Sequence, residues 1–201
     1  VLMDEPLSAL DKQLRERMQI ELRRLHDRLG TTTIYVTHDQ REALTMSDRI
    51  AVFHQGRIVQ LDQPAALYER PADRFVAEFI GESSLLDVSV QGTECLLGNQ
   101  VLRLPPGARD GAATLMLRPE RLQVLADGEA APPDCNLIDA VVGDRIYQGE
   151  SFLLQARLPD GRLLAARGIT TAARFAALPA TGAPVRLALR QADTVLLPPA
   201  G

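Results

Sequence analysis

The chain has 201 residues, 46% hydrophobic and 24% charged, a balance that fits one large or two small globular domains and excludes a disordered chain. A formal net charge of -4 excludes a general nucleic-acid binder. No apolar run approaches the roughly 18–20 residues of a membrane span. The first residues carry no basic stretch before an apolar one, so no signal peptide is expected. Cys95 and Cys135 fit neither a metal spacing nor a disulfide framework, as in a reduced cytosolic protein. Val1-Leu2-Met3 reads as the end of a buried strand. Asp11 caps a helix whose apolar face is Leu10, Leu14, Met18, Leu22, Leu25 and Leu29, and Gly30 ends it. Residues 31–37 are β-branched and aromatic, hence a strand. Asp39 caps a short helix through Met46. Residues 49–53 and 57–61 form a hairpin around His54-Gln55-Gly56. Asp62 caps a helix with Pro64 in its first turn, and Asp73 starts another with Phe75, Val76, Phe79 and Ile80 at core spacing. Strand, helix, strand in that order predicts a parallel α/β sheet.

Beyond residue 82 the texture changes. Residues 83–201 hold 11 of the 14 glycines and 10 of the 13 prolines, and no helical pattern there exceeds about two turns. Strands are predicted at residues 85–90, 101–104, 114–117, 137–142, 152–158, 162–167 and 185–189. Asp160-Gly161 is a hairpin turn, and residues 144–149 hint at a bend. Many short strands split by turns predict a small barrel or sandwich. The domain boundary is placed at 82/83.

The chemistry-bearing residues cluster early. Asp4 and Glu5 end an apolar strand, and ligands of α/β sheets bind beyond such ends. Consecutive side chains leave a strand in different directions, so one carboxylate can hold a Mg²⁺ shell while the other polarises a water. Taken alone, the pair can equally be a charged strand end in solvent. His38 follows the second strand and shares that edge if the strands are parallel neighbours. There it can donate to a phosphate oxygen or hold a water. His26 and His54 read as structural or exposed. Ser8-Ala9-Leu10-Asp11 reads first as helix capping.

Jointly the segments are more specific. Val-Leu-Met-Asp-Glu-Pro-Leu-Ser-Ala-Leu-Asp, Thr-Ile-Tyr-Val-Thr-His-Asp-Gln-Arg-Glu-Ala-Leu, Ser-Asp-Arg-Ile-Ala-Val-Phe and Gly-Arg-Ile-Val-Gln closely resemble the ATPase subunit of ABC transporters over residues 1–82. The resemblance implies a P-loop-type α/β ATPase core. Asp4 would end the Walker B strand and bind Mg²⁺ through water, as metal ligand. Glu5 would be the general base, His38 the switch histidine at the γ-phosphate, and Ser8 to Asp11 the D-loop facing a partner subunit. Phe75 to Gly81 and Thr114 to Glu120 resemble importers with an extra C-terminal TOBE domain, an all-β, OB-like barrel, here residues 83–201. Phe79 to Leu86 looks most like spermidine/putrescine importers; ferric-iron, sulfate and sugar importers share much of it. The implied cofactors are ATP and Mg²⁺. The implied partners are a second ATPase copy (a homodimer), membrane permease subunits and, indirectly, a solute-binding protein, with no nucleic acid. The implied location is the cytoplasmic face of the membrane.

The departures from that family lie before Asp4. The single lysine, Lys12, is followed by Gln13, so the Gly-Lys-Ser/Thr of a P-loop is nowhere in the chain. The adenine-stacking aromatic, the Gln loop and the Leu-Ser-Gly-Gly-Gln signature are also missing. The chain is therefore expected to be a C-terminal piece of a longer protein, inactive as an ATPase by itself, with Leu2 and Met3 lacking part of the sheet that should cover them. Two other readings compete. Residues 83–201 could be a regulatory barrel that binds a small ligand, an oxyanion or the sister subunit, or Asp4, Glu5 and His38 could form an independent Mg²⁺ hydrolase.

Overall fold

In the computed structural model, which describes residues 1–199, the chain divides into two units, Val1–Gly81 and Glu82–Gly201. Glu82 thus falls in the second.

The first unit begins with β1 (Leu2–Asp4), α1 (Lys12–Leu29) and β2 (Ile34–Val36). β1 and β2 pair in parallel, with Leu2 opposite Ile34, Met3 opposite Tyr35 and Asp4 opposite Val36. The α/β alternation thus gives a parallel pair, as expected. Asp11 caps α1, accepting from the Leu14 amide at 3.0 Å, and Gly30 closes it in the left-handed region at φ 60°. α2 (Gln40–Met46) is capped by Asp39, whose carboxylate accepts from the Arg41 and Glu42 amides. β3 (Ile50–His54) and β4 (Arg57–Asp62) form a hairpin closed by Gln55 and Gly56, both at positive φ. That turn matches the right-handed strand twist. α3 (Pro64–Glu69) and α4 (Arg74–Ile80) complete the unit.

Leu2 is 72% exposed, and among the described residues the β1–β2 sheet has two strands, so this strand end lacks part of its covering sheet, as expected. Two expectations are corrected here. The α1 stripe is half covered, with Leu14, Leu25 and Leu29 exposed. The core of this unit is instead Ile50, Val52, Leu67, Val76 and Ile80, on β3, α3 and α4. Asp62 does not cap α3; the cap position is Gln63, whose side chain makes no capping bond. Asp73 does cap α4, accepting from the Val76 amide at 2.9 Å.

The second unit is two five-stranded antiparallel sheets. One runs β12 (Leu163–Ile169), β11 (Ser151–Arg157), β10 (Cys135–Tyr147), β13 (Pro184–Arg190), β9 (Leu122–Leu125). The other runs β14 (Val195–Leu197), β8 (Gly111–Leu117), β5 (Ser84–Gln91), β6 (Glu94–Leu97), β7 (Gln100–Arg103). A short helix, α5 (Ala172–Ala176), follows β12. Leu115, Ile138, Leu154 and Leu187, drawn from both sheets, are fully buried in one core. The hinted bend is a register shift in β10 between Val142 and Arg145. β6, β9 and β14, three or four residues each, escape the sequence reading. Asn136 on β10 bridges to β7, donating to the Arg103 carbonyl at 2.8 Å and accepting from the Arg103 amide at 2.7 Å. Both cysteines are free, and burial pushes the Cys95 thiol up to about 11.

Candidate functional site

The parallel register brings the C-terminal ends of β1 and β2 together. Asp4 lies level with Val36, and the Glu5 amide donates to the Val36 carbonyl at 2.8 Å. Glu5 then turns out of the strand at φ 42°. A side chain other than glycine in that left-handed region costs free energy, and such strain collects at functional sites. The turn aims the carboxylate across the strand ends, where its Oε1 lies 2.8 Å from Nδ1 of His38. An ionised carboxylate only accepts, so in this contact Nδ1 is the donor. The hydrogen bond to Glu5, and then its charge, hold the His38 pKa above its ordinary value. Both side chains are open to solvent, His38 at 73% and Glu5 at 45%.

The loop after Glu5 is built on that carboxylate residue. The Ser8 hydroxyl and amide both donate to the Glu5 carbonyl, at 2.9 and 3.2 Å. Leu7 plugs inward, almost fully buried. Arg15, one turn into α1, closes the loop from behind. Its Nη2 donates to the Leu10 carbonyl at 2.9 Å and the Ser8 carbonyl at 3.4 Å, and its Nη1 to Asp39 at 3.2 Å. One guanidinium therefore ties the Ser8–Asp11 loop to the residue after His38.

Beneath His38 lies a polar cluster that sequence reasoning missed. Glu42 is only 2% exposed. It accepts from Thr37 Oγ1 at 2.7 Å and Tyr35 Oη at 2.9 Å, with Arg15 Nε 3.8 Å away. Thr37 Oγ1 in turn accepts from the Asp39 amide at 3.0 Å. Burial, reinforced by the adjacent Glu42 carboxylate, drives the Tyr35 pKa well up. The available signal was the Asp39-x-x-Glu42 spacing of a capping box. Here Thr37 takes the capping amide, which leaves Glu42 free to bind the strand side chains.

Asp4, Glu5 and His38 thus share one edge, and Ser8 and Asp11 follow in one loop. Among the described residues no three His, Cys, Asp or Glu side chains gather as a metal site. A Mg²⁺ commonly takes one or two carboxylates and fills its shell with water and substrate phosphates, so Asp4 fits such an ion only together with a phosphate ligand. Beside the site, an apolar cavity of about 750 Å³ lies between β2 and β3, lined by Leu25, Val36, Val52, Phe53 and Leu61, with His38 on its wall. Among the described residues β2 pairs only with β1, and β3 only with β4, so both strands turn an unpaired edge outward.

Residues 115–197 match the TOBE domain, and most of the chain is similar in sequence to curated import ATP-binding proteins. The particular relatives are spermidine/putrescine import ATP-binding proteins named PotA. The one from Rubrobacter xylanophilus is 46% identical over 182 residues, 83% of this chain and 46% of the relative. PotA 1 of Pseudomonas aeruginosa is 43% identical over 189 residues, 88% of this chain and 49% of the relative. The chain spans about half the length of these curated relatives. Among solved structures, the cytoplasmic molybdate-binding protein ModG, with molybdate bound, aligns with a TM-score of 0.50 and 13% identity, over 58% of this chain and 96% of ModG. That likeness concerns the fold, an OB-like all-β architecture.

Proposed function

We propose that this chain works within the ATP-hydrolysing subunit of a bacterial ABC importer for polyamines such as spermidine and putrescine. Residues 1–82 would be part of its ATPase domain and residues 83–201 its TOBE-type regulatory domain. The observation that carries this reading is the Glu5–His38 pair at the ends of two parallel strands, in a chain whose relatives are polyamine-import ATP-binding proteins. Asp4 would hold Mg²⁺ through water, and the ion would offset charge on the transferred phosphoryl group. Glu5 would accept the proton of the attacking water, and its hydrogen bond to Nδ1 would hold the His38 ring for contact with the γ-phosphate. Ser8 to Asp11 would face the second copy of a homodimer. Membrane permeases and a solute-binding protein would complete the importer on the cytoplasmic face of the membrane. Among the described residues no helix is long and apolar enough to cross a membrane.

The cavity between β2 and β3 fits this reading. An apolar slot flanked by two unpaired strand edges suits an added strand, and the relatives have about as much chain again outside the match. We assign to the slot a strand from that region, carrying the phosphate-binding loop to His38. Without those backbone amides and a lysine, phosphates lose their main cradle. The 201-residue chain alone should therefore give no micromolar binding heat with Mg-ATP. Mixed with the unmatched segment of the Rubrobacter xylanophilus relative, it should acquire such binding. Tight binding by the chain alone would overturn this assignment.

A further inference from the structure

The second unit carries a cleft that the ATPase reading does not use. It opens where β9, β13 and β12 approach α5, and encloses about 660 Å³. Four arginines line it: Arg121 before β9, Arg167 on β12, Arg174 on α5 and Arg190 at the end of β13. The acids lining it are Glu120 and Asp193. A chain of net charge -4 thus gathers a local excess of two positive charges in one concavity.

Much of this charge has no protein partner. Arg121 donates to Asp193 at 3.3 Å, and Nη2 of Arg167 donates to Glu82 at 2.5 Å. Nε of Arg167 is sealed from solvent and meets no acceptor, a costly state for a buried donor. Among the described residues, no hydrogen bond or ion pair engages the guanidinium of Arg174 or Arg190; only their backbone groups bond, the Arg174 amide to Thr171 Oγ1 and the Arg190 carbonyl to Thr194 Oγ1. The cleft is also partly apolar. Leu122 and Phe152, nearly buried, line it, and Ile169 at its edge is 88% exposed.

We propose that this cleft binds a small organic phosphate monoester. The monoester dianion matches the local excess of charge, and its three oxygens suit several guanidinium forks. Leu122, Phe152 and Ile169 receive the organic portion. The volume lies in the range of about 300–1,000 Å³ typical of small-molecule sites; a bare tetrahedral oxyanion leaves most of it empty.

The test is calorimetric titration of the 201-residue chain at constant ionic strength with phenyl phosphate, inorganic phosphate, molybdate and phenol. Phenyl phosphate is expected to bind with a sub-millimolar Kd, about tenfold tighter than inorganic phosphate, with phenol silent. Arg174→Ala and Arg190→Ala should each weaken it about tenfold, the effect of one charge-assisted hydrogen-bonding group. Thermal melting should be unchanged, since these two side chains bond nothing in the fold. Arg186→Ala, outside the cleft and paired with Asp139, is expected to leave the affinity as it was. No binding of phenyl phosphate would overturn the proposal. So would equal affinity for inorganic phosphate or molybdate, which would mark a bare-oxyanion site. An equal loss in Arg186→Ala would reduce the effect to general charge and overturn it as well.

Discussion

Glu5 and His38 are separated by thirty-three positions in sequence and by 2.8 Å in space. Two features place them together: the parallel register of β1 on β2, and the left-handed turn at Glu5 itself. Glu5→Gln removes the charge but keeps the shape. The raised pKa of His38 should then fall back toward the ordinary histidine value, read from the imidazole resonances in an NMR pH titration. The sign for stability follows from linkage. A histidine whose folded pKa is raised stabilises the fold fully below its unfolded pKa, and that contribution disappears as pH rises through the folded value. An unshifted titration in the variant would mean that the pair does not persist in solution.

Arg15 is expected to act as the brace of the 5–11 loop. It bonds two loop carbonyls and Asp39 while remaining 30% exposed, so screening limits its worth. Arg15→Ala should cost about 1 kcal/mol in denaturant unfolding. Hydrogen exchange of the Ser8 and Leu10 amides should accelerate more than that of α4. Uniform acceleration across the unit would instead make Arg15 a general surface contact.

The cluster around Glu42 has an optical signature. Tyr35 is one of three tyrosines, and its ionisation is pushed up by burial first and by Glu42 second. Glu42→Gln removes the charge and leaves the burial. Ultraviolet titration should show one tyrosine moving down yet remaining above the ordinary range. The same change should destabilise the first unit by about 1–2 kcal/mol, as for a weakened buried hydrogen-bond set.

In the second unit, Asn136 joins two sheets through its side chain. A third bond reaches Thr194 Oγ1 at 3.2 Å. Asn136→Ala leaves the Arg103 amide and carbonyl without these partners, and should cost about 2–3 kcal/mol in chemical denaturation. A cost near zero would place the register of β7 on other contacts.

The parts of the fold legible in sequence are those written in local chemistry. Asp11, Asp39 and Asp73 cap helices where their short carboxylates stand before apolar periods, and the turn at Gln55-Gly56 was readable from its glycine. The strand-end positions of Asp4 and Glu5 were legible from the apolar run before them, and that of His38 from the β-branched run at 31–37. What depends on neighbours was not legible. Whether Leu14, Leu25 and Leu29 are covered is decided by what packs on α1, not by their own period. β6, β9 and β14 are too short to display a period of two. The Asp62 side chain folded back onto the next amide instead of capping α3, a choice between two local bonds that composition does not determine. The burial of Glu42 beneath Tyr35 and Thr37 depends on the same tertiary neighbours and has no local sign.

In the proposed function Glu5 accepts the proton of the water that attacks ATP. The most direct measurement is phosphate release by this chain combined with the unmatched segment of the Rubrobacter xylanophilus relative, comparing native Glu5 with Glu5→Gln. Expected is steady release with Glu5, and in Glu5→Gln a loss of about a hundredfold or more, the scale of a removed general base, with nucleotide still bound. Release by Glu5→Gln at the native rate would contradict the claim.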